Sequence, residues 1–323
     1  MSRRALTLLV TALGLLLLGW QVRNIGVDVI TDNVRSLGLA GLAAILATGV
    51  LRQIVRSLAW VTLMKSNDAS PGVPFRRALA ATMAGDAVGN LTPFSLAASE
   101  PAKAMLVGAH MPPQRALAAL AAENFFYSIS VALAVLTGVA VLFLKFPALP
   151  DAVRTLSLLL VAAMTAVLVG GPWLIWKKPA LISSTLGRFT GFAGTKVPAY
   201  EKIIEKIRTL ETSTYAFVRA RPGRLVGVML CEASFHALSI TEAWIALYFL
   251  GHASIALAIV LDTVQRMINV IFKVVPLKIG VDETISGLMS HALNLGTALG
   301  VTMGVIRKIR VLFWSLIGLI LLR

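Results

Sequence analysis

Long apolar runs set what this chain can fold into. Residues 37–64, 113–145, 155–176, 225–250 and 295–322 are dominated by Leu, Val, Ala and Ile, and clusters of Lys, Arg, Pro and Gly stand between them. A helix needs about 20 apolar residues to cross the hydrocarbon core of a bilayer, so these runs read as membrane spans. The chain as a whole agrees: 57% of its residues are hydrophobic, 14% are charged and the mean hydropathy is +0.82. That is more apolar side chain than a soluble core hides. The sequence therefore predicts an all-α, polytopic transmembrane bundle, a single integral membrane domain over residues 1–323, with no soluble domain.

Charge supplies orientation. The 30 Lys and Arg outnumber the 15 Asp and Glu, for a net charge of +15. Such an excess also occurs in nucleic-acid binders, but in a chain this apolar it reflects Lys and Arg kept in cytoplasmic loops, and no nucleic-acid partner is expected. Residues 177–224 hold ten basic against three acidic residues, which puts this segment on the cytoplasmic side. Arg3-Arg4 precedes an apolar run at 5–20 that no small-x-small cleavage pattern follows, so a retained first helix is expected. The resulting order is a first helix and outer loop (1–36), a first repeat (37–145), a linking span with the basic segment (146–224) and a second repeat (225–323). Both termini are then cytoplasmic, in a bacterial inner membrane. Within the basic segment, Ile203, Ile207, Leu210, Thr214 and Phe217 recur at helical spacing and predict an amphipathic surface helix over 200–219.

Two segments repeat one another. Around Pro93 and around Pro276 the apolar pattern is cut into halves too short to span comfortably. In both, a Glu follows the Pro by seven residues (Glu100, Glu283), and polar residues precede it by seven and three: Asp86 and Asn90 in one copy, Asn269 and Lys273 in the other. Each reads as a re-entrant, broken helical hairpin. The loop charges make the first hairpin enter from the cytoplasm and the second from outside, so the two repeats are expected to be inverted. Inverted repeats with discontinuous helices are a transporter design, with a site near the midplane where broken helices expose unpaired backbone groups.

The buried ionisable groups are the candidate site. Glu100 and Glu283 have two readings. Ser99-Glu100-Pro101 and Asp282-Glu283 resemble helix starts, where an acid complements the dipole for about 0.3 to 1 kcal/mol. Yet a charge at the bilayer centre costs about 2.5 to 3.5 kcal/mol on insertion scales, which favours a site role. Lys103 lies three residues after Glu100, close enough to pair with it on one helix face. Glu123, Arg52, Arg56, Asp262, Arg266 and Arg307 also fall inside apolar runs, to face a cavity or one another. Glu232 and His236, at i and i+4, permit a proton relay or a metal pair, with a local hydrogen bond as the plainer reading. The chain has one cysteine, and it lacks the phosphate-loop, His-Glu-x-x-His, Gly-x-Ser-x-Gly and Cys-x-x-Cys motifs. No ATP-driven pump, zinc hydrolase, metal or cofactor is expected, and no enzyme activity.

At these residues the chain resembles the membrane domain of lysylphosphatidylglycerol synthases and the stand-alone flippase-like proteins related to it. The likeness runs over roughly residues 39–322. Its carriers are Asn90-Leu91-Thr92-Pro93 with Glu100 and Lys103, Ala122-Glu123, and Lys273-Val274-Val275-Pro276 with Gly280, Glu283, Arg307-Lys308-x-Arg310 and Trp314. Ser99, Asn124 and Tyr127 stand where family members often carry Gly, Arg and Asp. The resemblance implies handling of a phospholipid or lipid-linked product across the inner membrane by a flippase-like route, and the sequence shows no synthase domain. Membrane lipids with anionic headgroups are the expected partners. The alternative is a non-catalytic partner or scaffold for an envelope lipid or polysaccharide enzyme, docking through 200–219.

Overall fold

The computed structural model describes residues 23, 27–65, 72–92, 95–177, 183–185, 204–205, 208–209, 212, 222–272 and 275–322. The expected first helix at 5–20, the amphipathic helix at 200–219, Pro93 and Lys273 lie outside the described residues or mostly so. The elements are α1 (Val27–Ser36), α2 (Gly38–Met64), α3 (Phe75–Leu91), α4 (Ser95–Leu106), α5 (Pro113–Lys145), α6 (Asp151–Lys177), α7 (Pro222–Phe249), α8 (Ile255–Ile271), a 3₁₀ turn (Pro276–Lys278), α9 (Val281–Ala292) and α10 (Thr297–Ile320). No strand occurs among the described residues.

Among the described residues, four helices meet the length and composition of a membrane span: Gly38–Met64, Pro113–Lys145, Asp151–Trp173 and Gly223–Phe249. At 1.5 Å per residue the 27-residue α2 is roughly 40 Å long, enough for the hydrocarbon core. α10 has 24 residues but carries Arg307, Lys308 and Arg310, so its composition falls short while its length does not. α3 and α4, with 17 and 12 residues, are the short halves expected around Pro93. Local chemistry sets several boundaries. Pro113 opens α5 in the first turn, where N–H groups have no intrahelical acceptor and a missing one costs nothing. The Ser254 hydroxyl caps α8 by accepting from the Leu257 N–H at 3.3 Å. Residues 27–36, expected as part of a loop, form the helix α1 instead. Asp28 lies in its first turn and Arg35 in its last, both favoured by the helix dipole, and Asn33 Nδ2 donates to Thr302 Oγ1 on α10 at 3.2 Å.

α2 and α7 run side by side in opposite directions and form the spine. One apolar core sits at the C-terminal end of α2, where Trp60, Leu63 and Met64 pack with Ala119 and Leu120 of α5 and Val228 of α7. A second sits at the other end, where Ile45 of α2 joins Leu247 of α7, Leu261 of α8 and Met303 of α10. The middle of the spine is polar. Arg52 lies roughly 20 Å from either end of α2, between the two cores. Two further contacts cross between the halves, α3 against α10 and α8 against α5, while α4 packs on α3 and α9 on α10. Outward faces are apolar, as on α6, where Leu156, Leu159, Val169 and Trp173 are exposed.

Candidate functional site: a charged chamber

Between the two cores lies a chamber of about 200 Å³. Among the described residues, seven cationic side chains line it: Arg52 and Arg56 from α2, Arg266 from α8, Lys278 from the 3₁₀ turn, and Arg307, Lys308 and Arg310 from α10. Four carboxylates line it as well, those of Asp86, Glu242, Asp262 and Asp282. Helical spacing explains the convergence. Arg52 and Arg56 are four residues apart, Arg307 and Arg310 three, and Asp262, Arg266 and Asn269 follow one face of α8.

Buried charge is tolerated here because nearly every group has an opposite number. Glu242 on α7 holds two guanidiniums, Arg52 at 2.9 Å and Arg310 at 2.7 Å. Arg56 pairs with Glu123 on α5 at 3.2 Å, and its Nη2 donates to Asn124 Oδ1 at 3.3 Å. Lys103 on α4 reaches Asp86 on α3 at 2.8 Å and Glu100 at 3.2 Å. Arg266 donates to Asp262 through Nε at 2.8 Å. Arg307 contacts Asp282 at 3.4 Å and donates to Gln265 Oε1 at 2.6 Å, while Lys308 contacts Glu283 at 3.4 Å. Aromatic faces hold two of the cations in place: Arg52 sits 4.6 Å from the centre of the Phe235 ring and Arg56 4.7 Å from that of Tyr127. Arg52 Nε and Arg307 Nη2 are buried donors with no protein acceptor among the described residues.

The helix break near Pro276 gives the chamber one of its walls. Leu277 and Lys278 both have left-handed backbone, with φ of 51° and 50°, a strained state for residues with side chains. Gly280, at φ 80°, completes the reversal without that penalty. The turn delivers the Leu277 carbonyl to Lys308 Nζ at 2.5 Å and lets Glu283 accept the Gly280 N–H at 2.9 Å. Glu283 is thus both a helix cap and an ion-pair partner of Lys308.

Of the residues singled out from sequence, Asp86, Asn90, Arg266, Asn269 and Arg307 line the chamber directly. Lys103, Glu123 and Glu283 stand one ion pair behind it, and Glu100 stands two behind, through Lys103 and Asp86. Pro276 opens the 3₁₀ turn. Two expectations need correction. Ser99-Glu100-Pro101 is not a helix start: α4 begins at Ser95, so Glu100 lies mid-helix and pairs with Lys103, with Pro101 inside the helix. His236 does not bond Glu232; its Nε2 meets Ser130 Oγ at 2.8 Å and its Nδ1 meets Arg266, because the ring points across to α5 and α8 rather than along α7. Glu242, Asp282, Lys278, Lys308 and Arg310 were not among the site candidates, and Arg52 and Arg56 entered only as buried charges. The available signal was the same for Glu242 as for Glu123, a charge inside an apolar run.

A bundle of membrane-length helices closed round a charged chamber is a polytopic membrane protein with a polar site inside its apolar shell. The chain belongs to the family described as the lysylphosphatidylglycerol synthase TM region, whose model matches residues 5–318. Membership ties this membrane domain to lipid handling. No curated protein and no solved structure matches the chain.

Proposed function

We propose that the protein moves the anionic headgroup of a phospholipid or lipid-linked product across the bacterial cytoplasmic membrane through this chamber, flippase-like and without hydrolysing ATP itself. The observation that carries the reading is the excess of cations over carboxylates on the chamber surface, midway along the α2 and α7 spine. Pairing makes these charges tolerable, yet ionisable groups gathered inside a membrane bundle characteristically mark a substrate pathway. Arg52 and Arg307 line the chamber, and the guanidinium fork is the group that binds phosphate oxygens in pairs.

The packing supports an inverted-repeat reading. Exchanging α2 with α7, α3 with α8, α4 with α9 and α5 with α10 turns the contact of α3 on α10 into that of α8 on α5. The ion pair between α2 and α5, Arg56 with Glu123, becomes one between α7 and α10, Glu242 with Arg310, with the signs reversed. Rocking of two such halves exposes a midplane site to each side in turn. With the basic segment 177–224 on the cytoplasmic side, both termini are cytoplasmic.

The test is lipid flipping in vesicles containing phosphatidylglycerol with a fluorescent acyl chain, comparing wild type with Arg52→Gln and Arg307→Gln. Each variant leaves its carboxylate a second cation, Arg310 for Glu242 and Lys308 for Asp282, so folding is retained. The wild type accelerates flipping over protein-free vesicles, and each variant loses about tenfold or more, the scale of one lost charge-assisted contact. Equal rates for all three folded proteins would remove the chamber from the route.

A further inference from the structure

A second cavity, of about 340 Å³, opens sideways between α5, α7 and α8. Its walls are apolar, with Leu133 and Ala134 from α5, Met229, Ala237 and Ile240 from α7, and Ile259 from α8. Its mouth lies between α5 and α7, two of the membrane spans, and Leu133, Ala233 and Ala237 at the rim are exposed. Small side chains keep it open: Ala233 and Ala237 are four residues apart on one face of α7, and Ala134 lies on α5.

The floor of this groove is polar and is also a wall of the charged chamber. Asp262 lines both cavities. Its Oδ1 accepts from Ser239 Oγ at 2.6 Å and its Oδ2 from Arg266 Nε at 2.8 Å. Arg266 meets His236 Nδ1, and His236 Nε2 meets Ser130 Oγ at 2.8 Å. One hydrogen-bonded layer, Ser130 to His236 to Arg266 to Asp262 to Ser239, thus ties α5, α7 and α8 together and divides an apolar slot open to lipid from a cationic chamber.

Resting on the transport reading above, we propose that the groove takes one acyl chain of the lipid whose headgroup occupies the chamber, and that the Asp262, Arg266 and His236 layer is the gate between them. Only an amphiphile matches both compartments at once, an anion for the chamber and a hydrocarbon tail for the slot. A free anion has no use for the slot, and a lipid resting on the outer surface has no use for the cations. Arg266 fits the gate role because it belongs to the layer and also lines the chamber. A phosphate arriving there competes with Asp262 for the same guanidinium.

The experiment uses the full chain in phosphatidylglycerol vesicles, with a phosphatidylglycerol carrying a photoreactive diazirine in one acyl chain as the probe. Cross-linked peptides map to α5 around Leu133 and to α7 around Ala237 in preference to the exposed face of α6 at Leu158. Ala237→Trp fills the slot from a lipid-facing position where folding tolerates it, and Thr137→Trp does so from α5. Both abolish the preferential cross-link and slow flipping by about tenfold, whereas Leu158→Trp changes neither. Cross-linking no denser in the groove than at Leu158, or wild-type flipping by both filled variants, overturns the proposal and leaves the chamber reading intact. If the wild type flips nothing yet cross-links in the groove, the tail site stands and the transport reading falls.

Discussion

Glu242 holds two chamber guanidiniums at close range, Arg52 at 2.9 Å and Arg310 at 2.7 Å. Removing one member of a buried pair typically costs about 3 to 5 kcal/mol, because the orphaned charge stays in an apolar setting. Glu242→Ala should therefore lower thermal stability in detergent by at least that amount. Arg35→Ala, which breaks a pair with Asp32 that is about three-quarters exposed, should change it by under about 1 kcal/mol. Comparable effects of the two substitutions would mean that water screens the chamber as it screens the surface. At this scale the sequence was partly legible. A charge within an apolar run flags a buried partner, and that rule picked out Glu123, Arg266 and Arg307. It applied equally to Glu242, but no spacing links residue 242 to 52 or 310, and such a pairing exists only in three dimensions. Lys278 was hidden differently, because nothing local announces a left-handed turn built from Leu277 and Lys278 rather than from glycine.

Among the elements, α10 meets the backbone of both α9 and α3 at glycines. A Cβ on Gly300 would sit 2.0 Å from the Ser286 carbonyl oxygen, and one on Gly318 would sit 2.3 Å from the Met83 carbonyl oxygen on α3. Backbone cannot yield as a side-chain tip can, so the helices must part, with loss of the dispersion contacts that drive packing in lipid. Gly300→Ala and Gly318→Ala should each destabilise by about 1 to 3 kcal/mol. Gly170→Ala on α6, where an added methyl meets nothing within 4 Å, should be neutral or slightly stabilising. Thermal unfolding of the three variants in one detergent decides the matter, and equal melting points would show that α9, α10 and α3 are not packed through these glycines. Helix positions were largely readable because apolar run length sets them, as for α2 and α5. The start of α4 was not. Ser99 and Pro101 together mimic an N-terminus, yet Ser95-Leu96-Ala97-Ala98 continues the helix backwards, and α4 accommodates Pro101 inside it despite the lost N–H and the crowding of the Ala97 carbonyl.

For the molecule as a whole, the crosswise packing makes a mechanical demand. The contact of α3 with α10 joins a helix of the first half to one of the second, and Asn90 Nδ2 donates to Ser315 Oγ across it at 3.2 Å. Asn90 also lines the chamber, so this contact lies where the proposed rocking has to open and close. In a Cys231→Ser background, Asn90→Cys with Ser315→Cys gives two thiols that a short bridging reagent can join. The proposed alternation predicts that bridging stops flipping, by about tenfold or more, that cleavage of the bridge restores it, and that neither single cysteine responds to the reagent. A bridged protein that flips at the unbridged rate would mean that α3 and α10 move as one body, and the moving boundary would then have to run elsewhere, through the matching contact of α8 with α5. That second contact is next to the lateral groove. Bridging there should block lipid access as well as rocking, so the two cross-links separate loading from translocation: the α3 and α10 bridge leaves acyl-chain cross-linking in the groove unchanged, and the α5 and α8 bridge removes it.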